Sequence, residues 1–189
     1  MMARRRWSRR KKRAVFSLLA LCLLCALYAI FIESRWLQIT RIELHLAKLP
    51  ARLDGLRIVH LTDIHYPRGL DAAYFRRVVR ETNALNPDLV LITGDFIARA
   101  AEDADGCAHL LAGLRATEGV YGVLGNHDYW TSAAYVARAL RREGITVLRN
   151  QSVAIQRGGA RLWIVGLNDH WKRADDLPAA MRGVPAATE

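Results

Sequence analysis

The chain has 189 residues, 52% apolar and 24% charged, which excludes intrinsic disorder and leaves room for one domain and an appendage. Its formal charge of +10 is concentrated at one end: Arg4, Arg5, Arg6, Arg9, Arg10, Lys11, Lys12 and Arg13 precede every acidic residue. Of 28 basic residues these are eight, so 20 face 18 acidic ones in the remainder, a near-neutral +2 that gives no reason to expect a nucleic-acid partner.

Residues 14–32 follow the basic cluster and contain no charge. As a helix they span about 28 Å, against a hydrocarbon core of about 30 Å. Their one hydroxyl, Ser17, makes no polar stripe, so a membrane helix is expected rather than a buried core helix. No Ala-x-Ala site follows, and a bulky Leu21 precedes Cys22, so the helix reads as an uncleaved anchor. The excess of basic residues before it predicts a single-pass cell-membrane protein, with residues 1–13 cytoplasmic and the domain on the outer side. Cys22 and Cys25 read as small apolar filler, and Cys107 is alone, so no disulfide framework exists.

Residues 33–50 read as a linker with a first strand, because 38–46 alternates apolar and polar side chains. From residue 51 the pattern changes to alternating strands and helices. Strands are predicted at 56–61, 88–93, 119–124 and 145–148. Helices are predicted at 70–85, with Asp71 as N-cap, at 102–114 and at 132–143. The acidic cluster Glu102, Asp103 and Asp105 is expected to favour a helix N-terminus. Strands at 152–156 and 161–167 flank Arg157-Gly158-Gly159-Ala160, a hairpin signature. Residues 173–189 read as a short helix and a loop.

Three polar strings end the first three strands of this βα region: Asp63-Ile64-His65, Gly94-Asp95 and Gly125-Asn126-His127-Asp128. Asp63 precedes Asp95 by 32 residues and Asp95 precedes Asn126 by 31, the length of a βαβ unit. Right-handed crossovers make the strands parallel and bring their carboxyl ends to one edge, where open α/β sheets bind ligands. The strings therefore meet. Asp63 and His65, two apart on a strand, are expected to point the same way. Carboxylates, imidazoles and a carboxamide suit Mn, Fe or Zn, with Asp95 able to bridge two ions and Asn126 adding a neutral oxygen. His127 is expected to give a proton or hydrogen bond to a phosphoryl group, with Asp128 holding its tautomer. His45 and His60 read as packed or rim residues, and His109 and Arg68 as solvated.

The wording around these strings, residues 49–65, 86–95, 119–130, and 144–150 with 161–169, resembles the calcineurin-like metallophosphoesterases. In particular it is similar to their membrane-anchored bacterial branch, which includes phosphodiesterases and pyrophosphatases acting on UDP-diacylglucosamine. The resemblance covers residues 38–169. It implies an α/β fold, the N-terminal part of a four-layer α/β/β/α sandwich, over residues 51–189. It implies two divalent metal ions (Mn, Fe or Zn): Asp63 and His65 on the first, Asp95 bridging, Asn126 on the second, with His127 and Asp128 assisting phosphoryl transfer. It implies a phosphoester or lipid-linked nucleotide substrate. The family's later His-x-Pro and Gly-His-x-His motifs are not in this sequence, so the resemblance implies an incomplete C-terminal part and a second ion held only by Asp95 and Asn126. His170, after a predicted strand, falls at a structural turn in that branch. Two functions follow: a membrane-tethered metal-dependent hydrolase of phosphoester or pyrophosphate bonds, or a non-catalytic membrane protein lacking the full dimetal site.

Overall fold

A computed structural model describes residues 8–66 and 72–185, and divides into two units, 1–43 and 44–189. In the first unit, α1 (Arg9–Phe31) is a continuous helix with no buried residue. Ser8 caps it by accepting a hydrogen bond from the Lys11 N–H. The helix starts five residues before the uncharged run, so Arg9, Arg10, Lys11, Lys12 and Arg13 form its first turns. It is long and apolar enough to cross a membrane, as read from the sequence.

The alternation at 38–46 does not produce a strand. Ile39, Ile42, Leu44 and Leu46 are all exposed, and no strand among the described residues pairs with this stretch. A period of two makes a strand only where a partner accepts its backbone hydrogen bonds.

The second unit is built on a four-stranded parallel sheet, β1 (Ile58–Thr62), β2 (Leu89–Thr93), β3 (Val120–Val123) and β4 (Thr146–Val147), in sequence order. The central β2 reads as an unbroken apolar run because both of its faces are covered: Leu89, Val90 and Ile92 are buried. On β1, at the edge, only Val59 and Leu61 turn inward, while Ile58, His60 and Thr62 are exposed. Helices α2 (Ala72–Ala84), α3 (Asp103–Leu111) and α5 (Ala133–Arg142) fall on the predicted segments. Asp71 and Arg68 lie outside the described residues. Cys107, Ala108 and Leu111 of α3 and Val136, Ala137 and Leu140 of α5 join Val90, Ile92 and Phe96 in the main core. Burial pushes the Cys107 thiol far up, so it packs as an inert apolar group.

The expected hairpin is present: β5 (Gln151–Arg157) and β6 (Ala160–Gly166) pair antiparallel around Gly158 and Gly159, both at positive φ as a two-residue turn requires. A short helix, α6 (Leu177–Ala180), closes the described chain, with Asp176 capping it through the Ala179 N–H. The acidic cluster on α3 does more than complement a helix terminus. Asp105 accepts hydrogen bonds from the Tyr135 hydroxyl and the Arg142 guanidinium, both at 2.7 Å, tying α3 to α5.

Asp88 latches the end of the sheet opposite the polar strings. Its carboxylate accepts the Arg57 N–H at 2.8 Å and lies 3.1 Å from the Arg157 guanidinium of the hairpin. Burial raises the carboxyl's pKa, but the Arg57 N–H and the Arg157 charge outweigh it, and the net shift is downward. The carboxylate's contribution is therefore complete above the ordinary value of 3.8 and lost as pH falls through the lower native value. Replacing Asp88 with Ala leaves the Arg57 N–H without its acceptor and the Arg157 guanidinium without its counter-charge. We expect this to lower unfolding free energy at pH 7 by about 2 kcal/mol, read from the urea midpoint of the full chain.

Candidate metal centre

Parallel register brings the three strings together. Thr62 pairs with Thr93, and Thr93 with Val123, so the strands finish in one row. The backbones stay in contact beyond the strand ends: Gly94 N–H donates to Val123 O, His65 N–H to Asp95 O and Tyr66 N–H to Phe96 O.

Asp63 and His65 do not share a side of a strand, because β1 has already ended at Thr62. Both adopt left-handed backbone conformations, φ 51° and 45°, and Asp95 does the same at φ 47°. Three of the six non-glycine residues with positive φ among those described are thus expected ligands. Such conformations cost on the order of 1 kcal/mol or more each and concentrate where a site demands them. The turn at each residue, together with the 2.7 Å bond from His65 N–H, replaces strand alternation as the positioning device.

Asp95 is the central acceptor and is only 7% exposed. Its Oδ1 accepts the His127 N–H at 2.9 Å, and its Oδ2 lies 3.5 Å from His65 Nε2. Asp63 Oδ1 is 3.8 Å from the same nitrogen, and Asp63 Oδ2 accepts the Thr62 hydroxyl at 2.6 Å. Ligand atoms of His65, Asp95 and His127 all lie within 4.8 Å of one another. Asp95 also borders a cavity of about 270 Å³ lined by Asp63, Asn126, Asn168 and Asp169.

Asn126 and His127 are not in an extended loop but open a short helix, α4 (Asn126–Thr131), which the sequence reading did not include. Gly125 precedes it because a Cβ there would collide with the Asp95 side chain and backbone. A Cβ on Gly94 would meet Gly125 Cα at 2.9 Å. The two glycines therefore exist to let two strand ends touch.

Asp128 does not hold the His127 ring. It is fully buried, accepts the Gly125 N–H at 3.0 Å and the Ile97 N–H at 3.2 Å, and so fastens α4 to the turn after β2. Burial pushes its carboxyl up to about 6 against these backbone donors, which pull it down. The His127 tautomer is set instead by the Ala98 carbonyl, 2.8 Å from Nδ1. A carbonyl only accepts, so Nδ1 carries the proton and Nε2 the free lone pair.

His170 points elsewhere: it is exposed and pairs with Asp175 at 2.9 Å, an interaction that raises its pKa. Its neighbours Asn168 and Asp169, just past β6, line the cavity instead. They repeat the rule of polar residues after a strand end, a signal legible in sequence beside the three main strings. His60 is an exposed rim residue bonded to Thr93, and His45 and His109 are exposed.

The donor set fits a divalent cation. It offers carboxylate oxygens of Asp63 and Asp95, the His65 imidazole nitrogen facing both, and the neutral carboxamide of Asn126 at the cavity wall. A parallel α/β sheet carrying such donors at the carboxyl ends of its strands defines an α/β protein with a candidate metal site at its ligand-binding edge. The sequence profile of the calcineurin-like phosphoesterases matches residues 56–176, and the chain belongs to that metal-dependent hydrolase family. It is 35% identical over 142 residues to the UDP-2,3-diacylglucosamine pyrophosphatase LpxG of Chlamydia trachomatis, covering 75% of this chain and 42% of that protein. To LpxG of Chlamydia muridarum it is 35% identical over 132 residues, 69% of this chain and 39% of that one. A transmembrane protein with metallophosphoesterase domain from Danio rerio is 34% identical over 107 residues, 57% of this chain and 24% of that protein. The chain thus spans about two fifths of the length of the LpxG proteins it matches.

Gly125→Ala forces Asp95 aside without altering a ligand. We expect Mn²⁺ affinity to fall by about 10–100-fold, the usual effect of disturbing what orients a ligand. Titration followed by electron paramagnetic resonance of free Mn²⁺ measures it.

Proposed function

We propose that this chain carries a membrane-tethered, metal-dependent phosphodiesterase or pyrophosphatase site. The observation that supports it most is the convergence of His65, Asp95 and His127 within 4.8 Å beside a cavity lined by Asp63 and Asn126. In this reading Asp63 and His65 hold the first ion, Asp95 bridges, and Asn126 holds the second, with Mn, Fe or Zn as the metal. Bound there, such ions would polarise a phosphoryl group and supply a nucleophile at neutral pH. His127, with Nδ1 anchored on Ala98, turns its Nε2 lone pair to the reacting group, where it takes up a proton and returns it to a leaving oxygen; Asp128 acts through the backbone that carries it. The LpxG relatives favour a nucleoside diphosphate linked to a lipid as substrate. Residues 14–32 serve as the anchor and 1–13 as a cytoplasmic tail drawn to anionic headgroups, with the domain from residue 51 on the outer face.

Hydrolysis of bis(p-nitrophenyl) phosphate with added Mn²⁺ tests the chemistry. We expect Asp95→Ala to lower kcat/KM by at least about 1,000-fold, since it removes the bridging group of the site. An Asp95→Ala chain as active as the parent is incompatible with the mechanism.

A second reading has its own support: only three His or carboxylate groups converge this tightly among the described residues, few for two ions. It makes the chain a membrane protein without a full dimetal site. Metal stoichiometry separates the two. Two tightly bound ions per chain exclude the second reading, and one or none excludes two-metal catalysis by this chain.

A further inference from the structure

Beyond the ligands, a row of aromatic rings leads away from the site. The His127 ring lies 4.6 Å from that of Trp130, and Trp130 lies 6.1 Å from Trp171. Trp130 is one turn along α4 from His127, and Trp171 stands two residues beyond Asp169 of the cavity wall. Neither indole is there for the core: they are 53% and 76% exposed. Two large exposed indoles in contact cost water-facing apolar surface that a fold avoids unless something uses it. Lys172 places its ammonium 5.4 Å over the Trp130 ring, and the His170–Asp175 pair borders the same turn.

We propose that Trp171, backed by Trp130, is the platform on which the nucleobase of a nucleotide substrate stacks while its phosphates meet the metal centre; this rests on the phosphoesterase reading above. A nucleobase sits one ribose away from its phosphate, and the indole pair sits one and two rings away from His127. Base stacking on an exposed aromatic face is a common, sequence-tolerant mode of recognition. The polar rim of Lys172, Asp169 and the His170–Asp175 pair suits a flat ring edged with hydrogen-bonding groups. An acyl chain would need a continuous apolar trough. The tilt of 43° between the indoles leaves no parallel slot between them, so the base lies on the outer face of Trp171.

Calorimetric titration of the full chain with UMP and with ribose 5-phosphate, both with Mn²⁺, isolates the base. We expect UMP to bind about tenfold tighter, Trp171→Ala to bring UMP to the ribose 5-phosphate level, and Trp171→Phe to restore most of the difference. Ribose 5-phosphate affinity should not change in either variant. If ribose 5-phosphate binds but UMP binds no tighter, or if Trp171→Ala leaves UMP binding intact, the stacking platform is wrong and the phosphoesterase reading stands. If neither ligand binds the parent chain, both fall. In vesicles of brominated phosphatidylcholine, fluorescence quenching that disappears in Trp171→Ala while UMP affinity is unchanged would assign the indole to the bilayer and overturn the proposal.

Discussion

Everything at the candidate site depends on how closely two strand ends approach. Gly94 and Gly125 touch backbone to backbone, and no residue with a Cβ fits at Gly125 without displacing Asp95. That contact lets Asp95 receive the His127 N–H from one neighbouring strand end while its own carbonyl receives the His65 N–H from the other. One carboxylate-bearing residue thus couples all three strings. Metal ligation needs donors placed to a few tenths of an ångström, and backbone hydrogen bonds between adjacent strand ends supply that placement better than flexible side chains do.

The same arrangement explains the strain. Asp63, His65 and Asp95 hold left-handed conformations that favour glycine, yet each carries a side chain able to ligate a metal. A glycine there would relieve the backbone and remove that candidate ligand. Beneath them Asp128 is buried with a carboxyl raised to about 6, a costly state that persists because it stitches Gly125 and Ile97 together. Cost in the native state is therefore concentrated around the donors, and the apolar packing of β2, α3 and α5 offsets it.

Much of this was legible in the sequence. The 32- and 31-residue steps and the apolar runs located the parallel strands, and Gly158-Gly159 located the hairpin, because these depend on local pattern and crossover length. The strings' convergence followed from topology alone. What was not legible depends on tertiary partners. The alternation at 38–46 has no pairing strand among the described residues and stays without strand structure. Asp128 sits beside His127 in sequence, yet the helix that begins at Asn126 turns it inward to backbone donors. The Ala98 carbonyl that fixes the His127 ring has no side-chain signature at all. His170 drew attention as a histidine, while its neighbour Asp169 lines the cavity, because residue type is visible in a sequence and side-chain direction after a strand end is not.

The first unit poses the reverse problem, a helix that its own charges oppose. Arg9, Arg10, Lys11, Lys12 and Arg13 occupy the positive end of the α1 dipole with no acidic residue in the first turn. Arg9 and Arg13 also repel at i,i+4 spacing. No residue of α1 is buried, so tertiary packing does not offset this. An anionic headgroup layer over the basic turns and hydrocarbon around the apolar ones would remove both penalties together. Transmembrane relatives of the metallophosphoesterase domain support the same association. A basic cluster gathered just before an apolar helix fits a membrane surface better than a nucleic acid.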